Sequence, residues 1–164
     1  MGRDIKVIQK DNAVFAKFVE LVPEACEVAR KFDGKKVTKR ISNALCEVIP
    51  SLYIKIENCV GNPDKKEIVF SIVENGCNAY LFYVVTPVDS FDASAVIERL
   101  EKSAEYYSNK IAEFNDALPN IDKIMDEYNT ALESFLTARK AIPSYIREVL
   151  NIKDEYIAKA YYHV

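Results

Sequence analysis

The chain has 164 residues, of which 49% are hydrophobic and 29% charged, a balance that argues against global disorder and suits one globular domain with its own core. Its net charge of −3 lacks the basic excess that is typical of nucleic-acid-binding proteins. The longest apolar run, residues 79–85, is too short to span a bilayer, and the first residues lack the apolar stretch of a secretory signal, so we expect a cytoplasmic protein that does not enter a membrane.

Two helices are predicted ahead of the first strand. Residues 4–9 form a short edge strand or an extended tail. A helix then runs to about Phe32, with a kink or a fresh start at Pro23, because proline lacks the N–H that a helix interior needs. A second helix begins after Thr38, whose side chain suits an N-cap, and stops at Pro50.

Three strands follow as an antiparallel meander. Alternating apolar and polar residues predict strands at 52–57 and 67–74. Asn75 and Gly76 predict a tight type I′ turn, because both central positions of that turn need a positive φ. The third strand, residues 79–85, is apolar on both faces, so we expect a second layer of protein over the side that does not face the core.

The second half, from residue 92 to about 162, is predicted to be a helical arm. Because a proline inside a helix costs about 3 kcal/mol or more, Pro119 predicts a hairpin that bends at residues 116–120, and Pro143 predicts a further break. Apolar residues on one helix face build a narrow seam, which closes the hairpin, packs on the rest of the domain or joins a second copy in a homodimer. The residues selected for this seam are Ile97, Leu100, Ile111 and Phe114.

Residue types that carry much enzyme chemistry are scarce. The only histidine is His163, and the four glycines form neither a P-loop nor a dinucleotide-binding fingerprint. The four cysteines have no C-x-x-C spacing, and Cys59 and Cys77 are expected at opposite ends of a strand pair, too far apart for a disulfide. We expect no metal and no cofactor. A carboxylate-based enzyme is kept as an alternative, since a fold can bring distant acidic residues together.

A basic cluster between the first two helices favours another class of function. Six positive charges stand against Asp33 between residues 30 and 40, and a cation in the first turn of a helix opposes the helix dipole. A nucleic-acid or nucleotide-phosphate binder is therefore the alternative function, although a solvated loop explains the same charges. The candidate residues are Lys31, Lys35, Lys36, Lys39 and Arg40.

Tyrosine is the other notable feature, with seven of the ten tyrosines in the helical half. Several of them fall on the apolar seam, and three do not fit a single stripe. Tyrosine is enriched in the energetic centres of protein interfaces because it supplies a large contact area with a polar tip at low entropic cost. We select Tyr106, Tyr161 and Tyr162 as contacts to a protein partner, with packing against the body of the protein as the alternative.

Together these patterns predict an α+β protein with two N-terminal helices, a three-stranded antiparallel meander and a C-terminal long helical hairpin or bundle. We expect a single domain, 1–164, in which residues 1–88 form the first helices and the sheet and residues 89–164 form the helical arm. The predicted function is non-catalytic binding of a protein partner, by masking or bridging it. Inhibitors, immunity-type and anti-defence proteins and adaptors share this profile.

Overall fold

The computed structural model describes the backbone of residues 5–141 and the side chains of residues 5–138. Its elements, in chain order, are α1 (Ile5–Lys31), α2 (Lys39–Val48), β1 (Leu52–Cys59), β2 (Asn62–Glu74), β3 (Cys77–Pro87) and α3 (Ala93–Ala141). The predicted α+β class, the two N-terminal helices and the order of the elements are confirmed. In this part of the chain no helix is both long enough and apolar enough to cross a membrane.

The chain divides into two compact units, Met1–Glu113 and Phe114–Val164. The first unit contains α1, α2, the whole sheet and the beginning of α3, and the second contains the remainder of α3. The division falls inside a helix rather than at residue 89, where the helical arm was predicted to begin. A single domain over residues 1–164 stays a prediction.

The sheet is an antiparallel meander in the order β1-β2-β3. Asn75 and Gly76 connect β2 to β3 with φ angles of 49° and 83°, the positive values that a type I′ turn requires, so the predicted turn is confirmed. Strands β2 and β3 extend beyond their predicted apolar segments. Polar residues at their far ends still pair across the ladder, as Lys66 does with Thr86.

Helix α1 differs from the prediction at two points. It begins at Ile5, so residues 5–9 are helical rather than a strand or an extended tail, and it runs through Pro23 without a restart. Its buried positions recur every three or four residues on both sides of the proline. Burial of each larger apolar side chain contributes about 1.5–3 kcal/mol, which outweighs the one hydrogen bond that proline removes. These positions are Val14, Phe18, Val22, Ala25, Cys26 and Ala29.

Helix α3 also continues through a proline, so the predicted bend at residues 116–120 is wrong. Proline at 119 deprives the carbonyl of Asn115 of its helical partner. Both residues are exposed, and water can satisfy a carbonyl at the surface of a helix. The predicted break at Pro143 and the last predicted helix lie outside the described residues.

The core of the first unit lies between the helices and one face of the sheet, here called the inner face. Alternate strand residues point into it, as the two-residue period of a strand requires. Its sheet side consists of Leu52, Ile68, Phe70, Ile72, Phe82 and Val84, and its helix side includes Phe18, Leu45, Val96 and Leu100. Tyr107 of α3 closes one end of this core, because its ring stacks on Phe15 of α1 at a centroid distance of 4.1 Å.

Candidate functional site

The opposite side of the sheet, here called the outer face, is open. Its three tyrosines are among the most exposed large side chains of the first unit, with exposed fractions of 57% for Tyr53, 60% for Tyr80 and 51% for Tyr83. Val73 and Val85 are exposed on the same face. The predicted cover over β3 is therefore absent within residues 5–113, and the outer face is a candidate surface for a partner.

Strand pairing sets these side chains in neighbouring rows across the sheet. One row contains Tyr53, Ser71 and Tyr80, and the next contains Lys55, Val69 and Tyr83. Residues directly opposite each other on one face have Cβ atoms about 4.5–5.5 Å apart, so side chains within a row touch or nearly touch. The exposed tyrosines and valines thus occupy neighbouring rows of one face, in rows that also contain Ser71, Lys55 and Glu67.

A β-bulge in β3 aligns two of the tyrosines. Phe70 pairs with Phe82 and the next residue of β2, Ser71, pairs with Tyr80, so Leu81 is the extra residue. Residues three apart in a regular strand point to opposite faces, but an inserted residue brings them to the same face. The bulge is the reason that Tyr80 and Tyr83 share the outer face.

Charged residues border the apolar patch on the β1 side. Lys55 and Glu57 form an ion pair of 2.6 Å on the outer face, and the hydrogen bond to Glu57 raises the pKa of the Lys55 ammonium. An apolar, aromatic centre with a charged rim is the usual anatomy of a protein–protein interface. The outer face has the same ingredients in another arrangement, with tyrosines on its two edge strands and valines with a serine on the central strand.

Of the three tyrosines selected from the sequence, the structure describes one. Tyr106 is exposed on α3, packs edge-on against Tyr107 at a centroid distance of 5.1 Å and lies under the ammonium of Lys110 at 5.6 Å. Tyr161 and Tyr162 lie outside the described residues. The three were selected as one contact surface, and this grouping stays a prediction.

The residues of the seam fall in different environments. Leu100 is fully buried and Ile97 is half-buried against the same core, so for these two the partner is the rest of the first unit. Ile111, in the first unit, and Phe114, in the second, are both half-buried. Of the alternatives considered for the seam, packing on the domain itself is the one that Ile97 and Leu100 follow.

The basic segment is brought partly together. A shallow concavity of about 240 Å³ is lined by Phe32, Lys35, Lys36, Thr38 and Arg40. The Lys35 ammonium lies 5.8 Å from the centre of the Phe32 ring, within the range of a cation–π contact. Lys31, at the end of α1, and Lys39, at the start of α2, do not line this concavity.

Backbone and side-chain hydrogen bonds hold the basic segment against the start of α3. Gly34 donates to the carbonyl of Phe91 at 2.9 Å, and Phe91 donates to the carbonyl of Lys35 at 2.7 Å. The Asp33 carboxylate accepts from the N–H of Ala93, the first residue of α3, at 3.1 Å. A carboxylate at this helix end is favoured by the helix dipole, so Asp33 serves α3 rather than only offsetting its basic neighbours.

A buried threonine fixes the passage from β3 to α3. The Thr86 hydroxyl donates to the carbonyl of Ser90 at 3.2 Å and accepts from the N–H of Asp92 at 2.8 Å. The Asp92 carboxylate accepts in turn from the N–H of Ala95 at 3.1 Å, so Asp92 caps α3. The residue pattern leaves Ser90 and Asp92 as alternative caps and carries no sign of the threonine.

The groups that would support catalysis are dispersed in the described part of the chain. Within it, no cluster of three or more His, Cys, Asp or Glu residues is placed to hold a metal ion. None of the four cysteines forms a disulfide, and burial raises the pKa of the Cys26 and Cys46 thiols. Hydrogen bonding to Lys102 lowers the pKa of the Glu98 carboxyl, whereas a general acid needs a raised one. The carboxylate-based enzyme stays an untested alternative.

The outer-face tyrosines were not selected from the sequence, although a signal for one of them was present. Tyr53 alternates with inward-facing residues and shares its face with Lys55 and Glu57, which indicates a face in contact with water. For Tyr80 and Tyr83 the signal was hidden by the bulge, because a regular strand would place them on opposite faces. The whole of β3 was therefore interpreted as buried.

Comparison with known proteins adds no assignment, because the chain matches no protein-family model, no curated protein and no solved structure.

Proposed function

We propose that this chain is a non-catalytic protein-binding protein that contacts its partner through the outer face of the sheet. The observation that carries the proposal is the set of three exposed tyrosines, Tyr53, Tyr80 and Tyr83, in adjacent rows of one sheet face. Monomeric proteins seldom expose a large contiguous apolar patch without a function for it. Tyrosine gives such a patch high contact energy while its hydroxyl keeps it compatible with water before binding.

The proposed mode of action is masking or bridging of the partner, in the cytoplasm. A flat sheet face suits contact with another folded surface, because it offers area and few deep recesses for a small ligand. The absence of a disulfide among the four cysteines supports a reducing compartment. An inhibitor, an anti-defence or immunity-type protein and an adaptor all work by such a contact.

The test is a comparison of the wild-type chain with a variant that carries Tyr53→Ser, Tyr80→Ser and Tyr83→Ser. Each chain is immobilised and used to capture proteins from an extract of the source cells, and captured proteins are then purified for affinity measurements. Truncation of an interface tyrosine in an energetic centre typically costs 1–2 kcal/mol or more, so we expect at least about a hundredfold weaker binding for the triple variant. Because the three side chains are exposed, the melting temperature should stay close to that of the wild type.

The matched control is Val60→Ser, which removes the most exposed apolar side chain of the chain's described part from the β1–β2 turn, away from the outer face. It should leave partner binding unchanged. Equal capture and equal affinity for the triple variant and the wild type would refute the outer face as the contact surface. A mass in solution of two chains for the wild type and of one chain for the triple variant would identify a second copy of the chain as the partner.

A second candidate function, binding of a nucleic acid or a nucleotide phosphate, is supported by the concavity that gathers Lys35, Lys36 and Arg40. Phosphate binding by cations releases counterions and weakens steeply as salt rises. A fluorescent single-stranded oligonucleotide is the probe. Affinity that falls at least about tenfold between 50 and 200 mM salt, and that Lys35→Glu with Lys36→Glu abolishes, would establish this function. Absence of binding at low salt would reject it.

A further inference from the structure

A groove runs along the free edge of β3, between that strand and the first turns of α3. One part, about 380 Å³, is lined on the strand side by Tyr80, Leu81 and Phe82, and the adjoining part, about 250 Å³, by Tyr83, Val84 and Val85. Side chains of consecutive strand residues point to opposite faces. A lining of six consecutive residues therefore means that the groove follows the edge of the strand and its backbone, rather than either face of the sheet.

One face of α3 forms the other side of the groove. Its residues follow each other at steps of one or three along α3, and they are Ala95, Glu98, Arg99, Lys102, Ser103, Tyr106 and Tyr107. At 1.5 Å per residue this face is about 18 Å long, and the six strand residues at about 3.3 Å each span a similar length. Helix and strand thus run side by side for the length of an extended segment of about five residues.

The edge of β3 has backbone groups directed into the groove. The N–H of Val88 bonds to the carbonyl of Asp64 on β2, and residues of an antiparallel strand alternate between bonding to one neighbour and to the other. Because Val88 bonds to β2, the same alternation makes Thr86 and Val84 bond to β2 as well. The residues between them, Tyr83 and Val85, direct their N–H and C=O groups to the free edge. Among the described residues no fourth strand pairs with this edge.

The edge also lacks the usual protection against strand addition. Exposed edge strands in native proteins carry lysine, other charges or an internal proline that prevent pairing with another chain. Between Cys77 and Thr86, β3 has no charged residue, and its proline is the last residue, Pro87. The bulge at Leu81 interrupts the ladder near one end and leaves residues 82–86 regular. An apolar edge of this kind is a template for another strand.

The charge of the groove indicates what kind of strand it accepts. Arg99 lines both parts of the groove, and within the described residues no salt bridge joins it to a carboxylate. Glu98, the acidic residue that lines the groove, is bonded to Lys102 at 2.8 Å, and Arg99 acts on it only by a weaker charge attraction that also lowers its pKa. A guanidinium in a groove with hydrogen-bonding edges favours a carboxylate, which it binds through two parallel hydrogen bonds.

We infer that the groove between β3 and α3 binds an extended peptide segment, which adds to β3 as a fourth antiparallel or parallel strand and places an acidic side chain on Arg99. The main-chain bonds to Tyr83 and Val85 supply affinity, and Arg99 supplies selectivity for the acidic residue. This site adjoins the outer face, since Tyr80, Tyr83 and Val85 contribute to both, but it does not depend on the function proposed for that face.

The test starts from a library of random heptapeptides displayed between constant flanking segments, so that no free terminus is offered. Selection on the full chain should enrich peptides that share an Asp or Glu in an alternating apolar context. Enriched peptides are then synthesised, and their affinities are measured by fluorescence anisotropy for the wild type, Arg99→Glu and Val85→Pro. Both variants should bind at least about tenfold more weakly.

Each variant has a matched control. Arg40→Glu makes the same charge reversal on the basic segment, and Val85→Thr changes the side chain but keeps the N–H that Val85→Pro removes. Proline is tolerated at an edge position whose N–H is not in the ladder, so Val85→Pro should keep the circular dichroism spectrum of the wild type. If it does not, Arg99→Glu against Arg40→Glu still decides the question.

Three results would overturn the inference. In the first, the library gives no enrichment over an unrelated protein. In the second, the enriched peptides bind the Arg99→Glu variant as tightly as the wild type. In the third, the wild type is a dimer in light scattering, Val85→Pro makes it a monomer, and Arg99→Glu leaves peptide binding unchanged. The last result would assign the edge to a second copy of the chain. Tyr53→Ser changes the outer face on β1 and leaves the lining of the groove intact, so weaker partner binding with unchanged peptide affinity in this variant would separate the two sites.

Discussion

Truncation of Leu100 measures how firmly the first part of α3 belongs to the core of the first unit. The side chain is fully buried. Leu100→Ala removes three carbon atoms, worth about 0.8 kcal/mol each in transfer free energy. The cavity that remains adds to this, because buried Leu-to-Ala changes typically cost about 2–5 kcal/mol in all. We expect the free energy of unfolding to fall by about 3 kcal/mol.

The assay is chemical denaturation with urea, followed by circular dichroism, together with thermal melts over a hundredfold range of protein concentration. A loss of about 3 kcal/mol corresponds to a drop in melting temperature of roughly 10 °C for a chain of this size. Ile124→Ala is the matched control. It lies on the same three-and-four pattern of α3 but is 62% exposed, and it should change the free energy of unfolding by no more than about 0.5 kcal/mol.

The result that would refute this reasoning is a dependence on concentration. If Leu100 packed on a second chain, the destabilisation would grow on dilution and the variant would lose mass in light scattering. An effect below about 1 kcal/mol would equally contradict its place in the core, because no fully buried leucine is so easily removed.

Three smaller changes probe other features. Thr86→Val should lower the free energy of unfolding by about 1–3 kcal/mol in urea titrations, because the N–H of Asp92 loses its acceptor. Recovery of the stability in Thr86→Ser would attribute the loss to the hydroxyl. Equal stability of Thr86→Val and the wild type would contradict this role. Gly76→Ala should lower the free energy of unfolding by about 1–2 kcal/mol through the φ of 83° alone, since an added Cβ meets no atom within 4 Å. An unchanged melting temperature would exclude the type I′ turn. Burial raises the pKa of the Cys26 thiol, so its alkylation by iodoacetamide at pH 8 should be at least about tenfold slower in the folded chain than in the chain unfolded by guanidinium. Peptide mass mapping measures the rate at this cysteine. Equal rates in the folded and unfolded chains would place the thiol at the surface.

The features predictable from the sequence are those that local chemistry determines. The alternation in β1 and the Asn75–Gly76 pair define a hairpin whatever the rest of the chain does, and Asp92 caps α3 through its own carboxylate. The two helix errors arose because the cost of Pro23 and of Pro119 was taken as decisive. Both helices continue through their proline, with buried residues on both sides of Pro23 and with exposed backbone at Pro119.

The candidate site was harder to predict because it depends on which face of the sheet the helices cover. An apolar strand face looks the same in sequence whether a second layer covers it or not. Tyr80 and Tyr83 were therefore interpreted as buried, whereas within residues 5–113 the helices pack on the inner face and leave both tyrosines exposed. The groove along β3 depends on the distance between two elements, and residue patterns carry no information about that distance.

The hydrogen bond between Asp33 and Ala93 also bears on the order of folding. It joins residues 60 apart, whereas each strand of the meander pairs with its neighbour in sequence. Closing a long loop costs more chain entropy than closing a hairpin, so the two hairpins can organise while α1 is still detached. The attachment of α1 to the start of α3 then completes the core. Substitutions at this junction should accelerate unfolding more than they slow folding.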